Sequence, residues 1–256
     1  MIPARLTGKP FWDLYLYNDP PIWEAYVACA KHFNIDALMD GYYHYLPQAE
    51  PATGPEWQKF IVFRTNERIV TQASYSENGR RIWAPTVDVF YIQDPPTWGL
   101  PPEKIDLPPV PNKWEPVEGV KPVDNGPQGL KHMKELVGDQ GLVGVGVAGT
   151  CALYSEESIY NYYDHPEKHE EWAQERVEAA EKRFRQIMAV DVKPDFLCVG
   201  GSGTLVFQTV DIFRQLAFPA VKRAIELATA AGMPTHVHSC GPEKELVKIM
   251  AEETDL

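Results

Sequence analysis

From residue 128 to the end of the chain, two kinds of apolar segment take turns. Short β-rich runs at 142–148, 195–199 and 235–239 are separated by stretches whose apolar residues recur at helical spacing. Helices are expected at 128–137, 155–163, 166–188 and 210–217, and again from Pro219, where a first-turn proline is tolerated. Ala173, Val177, Ala180, Phe184 and Ile187 make one apolar stripe, and Val221, Ala224, Ile225 and Ala228 another. A last helix is expected at 242–253, with Asp255-Leu256 opening a further strand. Strands separated by helices of this length have the crossovers that parallel pairing requires. The pattern therefore predicts a parallel α/β architecture with its helices outside. Periodicity alone fits both a (β/α)8 barrel and an open doubly wound sheet.

The first half follows another rule. Residues 1–20 are aromatic and proline-containing and are expected to cover a core edge. Trp23, Tyr26, Val27 and Ala30 share a helical face over Ile22–Phe33, and a strand is expected at 35–39. Asn78-Gly79 between two β-rich stretches signals a two-residue hairpin, so an antiparallel meander is placed at 60–92, as an insertion beside the main sheet. Between 93 and 127 stand ten prolines, which exclude regular helix and central strand. This segment reads as a surface connection wrapping a single domain that spans 1–256.

Composition narrows the partners. A net charge of −12 argues against nucleic acid or an anionic membrane surface. No apolar run approaches the roughly 18 residues of a membrane span, and Met-Ile-Pro-Ala-Arg does not open a signal peptide. The four cysteines, Cys29, Cys151, Cys198 and Cys240, form no disulfide-like framework, so a reducing, cytoplasmic setting is expected.

The segment Met233-Pro234-Thr235-His236-Val237-His238-Ser239-Cys240-Gly241 carries the clearest chemistry. Side chains alternate on a strand, so His236, His238 and Cys240 share a face. Neighbours two apart, about 6.6 Å along the strand, can converge on one metal, whereas residues four apart cannot without a bend. The usable pair is His238/Cys240 or His236/His238, which is half a zinc site. Gly144-Val145-Gly146-Val147-Ala148-Gly149 matches a dinucleotide-binding pattern in letters only, because its glycines lie inside a strand. There, small residues are expected to admit a close neighbour. His165-Pro166-Glu167-Lys168-His169 reads as a solvated first helical turn. Gly200-Gly201-Ser202-Gly203, a glycine loop after a strand, lacks the lysine of a P-loop but is placed to line a site. For His32, His44 and His132 the sequence alone shows no partner, and they read as ordinary residues.

At His238-Ser239-Cys240-Gly241 the chain resembles the uroporphyrinogen decarboxylase superfamily, and within it the zinc-dependent corrinoid methyltransferases of the methylcobamide:coenzyme M type. Lys193-Pro194-Asp195, Gly201-Ser202-Gly203, Phe213-Arg214, Pro219, Lys222, Gly232-Met233-Pro234 and Glu252-Glu253-Thr254-Asp255 extend the likeness over residues 185–256. The resemblance implies a (β/α)8 TIM barrel with its site at the strand C-termini and with His238 and Cys240 as zinc ligands. The family's further ligand cysteine belongs to a later βα unit. The chain stops at Leu256, inside what reads as the seventh strand, so the last βα units and that cysteine are expected to be absent. Cys198 is then a possible substitute ligand, His236 a candidate to hold a metal ligand in place from behind, and Gly201, Ser202 and Gly203 line the substrate.

The activity implied is methyl transfer from a methylcobamide, carried by a partner corrinoid protein, to a zinc-activated thiol or a pterin. The decarboxylase branch has an N-terminal arginine-rich segment that residues 1–40 do not match, which makes decarboxylation the runner-up. A non-catalytic barrel that binds a corrinoid partner comes third. A cut barrel exposes strand edges, so a homo-oligomer is also expected.

Overall fold

The structure, a computed structural model, describes residues 2–39, 54–123, 126–202 and 204–255, without the side chains of Ser202 and Cys240. In chain order, helices α1 (Ile2–Leu6), α2 (Phe11–Tyr15) and α3 (Ile22–Phe33) precede strand β1 (Ala37–Met39). Strands β2 (Gln58–Arg64), β3 (Arg68–Glu77), β4 (Arg80–Tyr91), β5 (Thr97–Leu100) and β6 (Glu115–Pro116) follow. Next come α4 (Pro127–Val137), β7 (Leu142–Ala148), α5 (Glu156–Asp164), α6 (His169–Ala189), β8 (Phe196–Ser202), α7 (Thr204–Phe207) and α8 (Val210–Ile212). The chain continues through α9 (Phe218–Ala230), β9 (Thr235–Cys240) and α10 (Lys244–Glu253). It divides into two compact units, one of Met1–Ile35 with Gln48–Asp124 and one of Asp36–Pro47 with Asn125–Leu256. Among the described residues no helix is long and apolar enough to cross a membrane.

The first unit is built on a five-stranded antiparallel sheet of order β5-β4-β3-β2-β6. Asn78 (φ 50°) and Gly79 (φ 76°) make the expected two-residue turn, closed by the Glu77–Arg80 pair. Leu16, Ile61, Ile69 and Phe90 pack together on one face, with Trp12 and Tyr15 beside them. On the other face Val70, Val87 and Val89 are covered by Leu100, Ile105 and Leu107. The proline-rich segment thus supplies cover and both outer strands, β5 and β6, because an edge position spares proline the hydrogen bond it cannot donate. Gln72, buried within the sheet, fastens it by donating from Nε2 to the carbonyls of Ala84 (2.7 Å) and Pro109 (2.9 Å).

In the second unit four parallel strands lie in sequential order β1-β7-β8-β9. Val199 and Val237 pack with Phe218, Val221, Ala224 and Ile225 of α9 and with Leu246, Ile249 and Met250 of α10. The expected stripe of α6 is buried at Ala180, Phe184 and Ile187, and that helix runs beside α9. At the start of β8, Asp195 accepts from the Val143 amide (2.8 Å) and from Lys134 Nζ (2.7 Å), which fixes β8 against β7. Pro219 leaves a backbone bond unmade, and the turn before it, Phe213–Ala217, opens into π-helix.

The expected (β/α)8 barrel is not what the chain forms. Among the described residues the parallel sheet has four strands, and the meander at 60–92 belongs to a separate antiparallel sheet. The physical reason lies between β1 and β7. There β2 to β5 follow one another through short turns with no helix of crossover length between them among the described residues, so they pair antiparallel, and only α4 precedes the return to the parallel sheet at β7. Two boundaries differ as well. β8 runs on to Ser202, so Gly200 and Gly201 are ladder residues opposite His238 and Ser239 and not a loop. Asp255 is irregular, and Leu256 lies outside the described residues, as does His44.

Candidate functional site

Since Val199 and Val237 face the helices, alternation puts Cys198, His236 and His238 on the opposite face of the parallel sheet. The β8–β9 register pairs Cys198 with His236 and Gly200 with His238. Cys198 is buried, and its Sγ lies 3.3 Å from His236 Nδ1; the His236 ring is exposed. His238, half-buried, sits about 6.6 Å further along β9. The two strands meet closely there, because Gly200 has φ +117° and a Cβ on it would stand 2.0 Å from the His238 carbonyl oxygen. Cys240 ends β9 opposite Ser202; both side chains, and Gly203 entirely, lie outside the described residues. Gly201 is half-buried, and a Cβ there would be 3.4 Å from Thr150 Oγ1. The structure therefore brings together the two reserve residues, Cys198 and His236. Among the described residues, no three His, Cys, Asp or Glu side chains form a group able to hold a metal. An imidazole nitrogen and a thiol sulfur in contact are still donors of the kind a borderline-soft cation takes.

A buried polar network holds the ends of the strands. The Glu243 carboxylate accepts from Ser239 Oγ (2.6 Å) and from the Thr204 amide, tying the end of β9 to the turn after β8. Thr204 Oγ1 shares a hydrogen with Thr150 Oγ1 at 2.8 Å, which draws in the loop after β7. Gln208 completes that loop, accepting from the amides of Ala152 (2.8 Å) and Leu153 (3.2 Å) and donating to Thr150 O (2.9 Å). From α6, Arg176 Nη2 donates to the carbonyls of Gly149 (3.3 Å) and Cys151 (3.1 Å). Burial pulls the Arg176 guanidinium below its ordinary pKa, with the Cys151 thiol opposing. Burial likewise pushes the Cys151 thiol up, against the pull of Arg176.

Glu243 carried one legible signal, an acid just before a helix, where the dipole favours negative charge. Thr150, Thr204, Gln208 and Arg176 carried none, since their partners are 25 to 58 residues away in sequence. His169 also differs from a solvated first turn. It is 8% exposed, stacks on Tyr162 with ring centres 4.0 Å apart, and lies 2.7 Å from Tyr162 O through Nε2 and 3.1 Å from Gln215 Nε2 through Nδ1. Helix α6 begins at this residue, so His169 is turned inward while His165, four residues earlier, is only half-buried. No protein family, curated protein or solved structure matches the chain.

Proposed function

We propose that the second unit is a zinc-dependent methyl-transfer module that takes a methyl group from a methylcobamide on a partner corrinoid protein and delivers it to a thiol. The reading rests on the resemblance at His238-Ser239-Cys240-Gly241. One structural observation supports it: the in-register β8–β9 pair gathers His236, His238 and Cys198 on the sheet face opposite α9 and α10. His238 and Cys240 would hold the metal, with Cys198 and His236 in reserve one repeat below. Zinc bound there supplies a positive charge that lowers the pKa of an acceptor thiol, so that a thiolate is present at neutral pH.

The protein's own residues set the geometry. Glu243 and Ser239 fix the end of β9, Gly200 lets β8 approach His238 without a side chain between them, and Gly201 leaves room beside it. Cys29, Cys151 and Cys198 are in no disulfide, which fits a reducing, cytoplasmic setting. A pterin acceptor would need no thiolate and would make the metal's role different.

The test is metal content followed by turnover. The full chain should retain one zinc per molecule after dialysis, and Cys240→Ser or His238→Gln should lose it. With methylcobalamin and a small thiol, the native protein should bleach the methyl-corrinoid absorbance, and the two variants should not. A native protein that retains no zinc, or that bleaches equally well as Cys240→Ser, refutes the reading.

A further inference from the structure

We propose that Met39, Cys198 and His236 form a second metal site, selective for a soft monovalent cation of the copper(I) type. The three donors come from three strands, β1, β8 and β9. Cys198 Sγ lies 3.1 Å from Met39 Sδ and 3.3 Å from His236 Nδ1, so the thiol stands between a thioether and an imidazole. Strand β7 runs between β1 and β8 and would ordinarily keep their side chains apart. It does not, because Gly146, the β7 residue that pairs with Cys198, puts no side chain between them. Gly144, which pairs with Met39, also has no side chain there, and the space over it is taken by the Phe196 ring.

An apolar reading of the contact would treat Cys198 as a small core residue and Met39 as filler. Exposure argues against it. Met39 is 37% exposed and His236 is exposed, while only the central thiol is buried. A cation therefore has an approach, and the groups it would meet first are those able to rotate. Around an ion with sulfur at about 2.3 Å and nitrogen at about 2.0 Å, three donors in a trigonal plane stand about 3.7–4.0 Å apart. Two of those separations, Met39–Cys198 and His236–Cys198, would be reached by withdrawals of less than about 1 Å each, and the third is set by rotation of the Met39 and His236 side chains.

The donor set decides the ion. Thioether and thiolate together favour copper(I), whereas zinc takes thiolate and imidazole but gains little from a thioether. Binding replaces the Cys198 proton, which leaves to solvent, so the thiolate balances the charge of the ion and one proton is released per ion bound. This site does not rest on the methyl-transfer reading, and it uses neither His238 nor Cys240.

The test is a titration of the full chain with copper(I), anaerobically and under reducing conditions, against a chromophoric copper(I) chelator. One equivalent should be withdrawn from the chelator per chain. Met39→Leu should weaken copper(I) at least about tenfold and leave zinc binding unaltered, the scale expected when a metal's surroundings lose one contributor. His236→Gln should weaken it similarly, and Cys198→Ser should abolish it. Cys240→Ser with His238→Gln should leave copper(I) binding unchanged whatever becomes of zinc. Met39 and His236 are exposed, so their variants should keep the native far-ultraviolet ellipticity. The proposal is overturned if no copper(I) is held against the chelator, if Met39→Leu binds it as tightly as the native chain, or if binding vanishes with Cys240 instead.

Discussion

Gly200→Ala should be the most damaging single-methyl change in the parallel sheet. The added Cβ would stand 2.0 Å from the His238 carbonyl oxygen and 2.9 Å from both its carbonyl carbon and its amide nitrogen. All three are backbone atoms, so no side chain can swing away, and β8 and β9 must part by roughly 1 Å, a displacement of the overpacking kind that costs about 1–3 kcal/mol. The backbone at φ +117° adds strain of about 1–3 kcal/mol for a residue with a side chain. The sum, about 2–6 kcal/mol, is a large part of the 5–15 kcal/mol or so that holds a domain folded.

Gly241→Ala isolates the second effect, since φ there is +103° but nothing lies within 4 Å of the new Cβ. Urea unfolding followed by ellipticity at 222 nm reads the difference. The helices of the second unit dominate that signal, whereas six of the seven tryptophans belong to the first unit and would report on it by fluorescence. The expected order is native, then Gly241→Ala, then Gly200→Ala, with about 1–3 kcal/mol between the last two. Equal midpoints for the two variants would refute the close approach of β8 to β9, and with it the placement of His238.

Three further outcomes are expected. At Gly144 a Cβ would meet the Phe196 ring at 2.3 Å, so Gly144→Ala should destabilise by about 1–3 kcal/mol, and Phe196→Leu in the same chain should recover part of the loss; strictly additive unfolding energies would disprove the contact. Glu243→Leu should cost more than Glu243→Gln, because the amide can still serve the Thr204 amide and the Ser239 hydroxyl, whereas leucine strands buried donors at about 1–3 kcal/mol each; calorimetric midpoints in the reverse order would remove the network from the account. The Cys151 thiol, raised above its ordinary 9.0 chiefly by burial, lends stability that is complete below about pH 9 and is lost as pH rises through the folded value. Arg176→Met should raise that pKa further and slow iodoacetamide labelling of the Cys151 peptide at fixed pH, and faster labelling would contradict the pairing.

Much of the local structure could be read in advance because its causes are local. Asn78-Gly79 has the backbone freedom a two-residue hairpin requires, and the stripe through Ala180, Phe184 and Ile187 records one helix face. Register and sheet membership depend on partners far along the chain. The meander at 60–92 shows the right strands without showing that they close into a sheet of their own, with prolines at its margins. Gly200-Gly201 reads as loop because glycine is usually punctuation. Its actual cause, the His238 backbone beside it, is 38 residues away. The barrel was an inference from resemblance, and the hairpins between β1 and β7 overrule it. At the site, alternation placed His236 and His238 on one face, but that Cys198 would touch His236, with Met39 behind it, depended on the strand order and on the glycines of β7.

The proline-bearing margins of the antiparallel sheet bear on how the protein behaves at high concentration. A flat sheet with long unpaired borders invites a second molecule to add a strand, and growth of that kind has no natural end. Here one border is the two-residue β6, which ends in Pro116, and the other is the four-residue β5, preceded by Pro95-Pro96 and followed by Pro101-Pro102. A strand arriving at either finds few amides to receive and almost no length to match. The proline-rich connection is therefore also a terminator where it pairs, at Phe60–Ile61 of β2 and at Val87 and Val89 of β4.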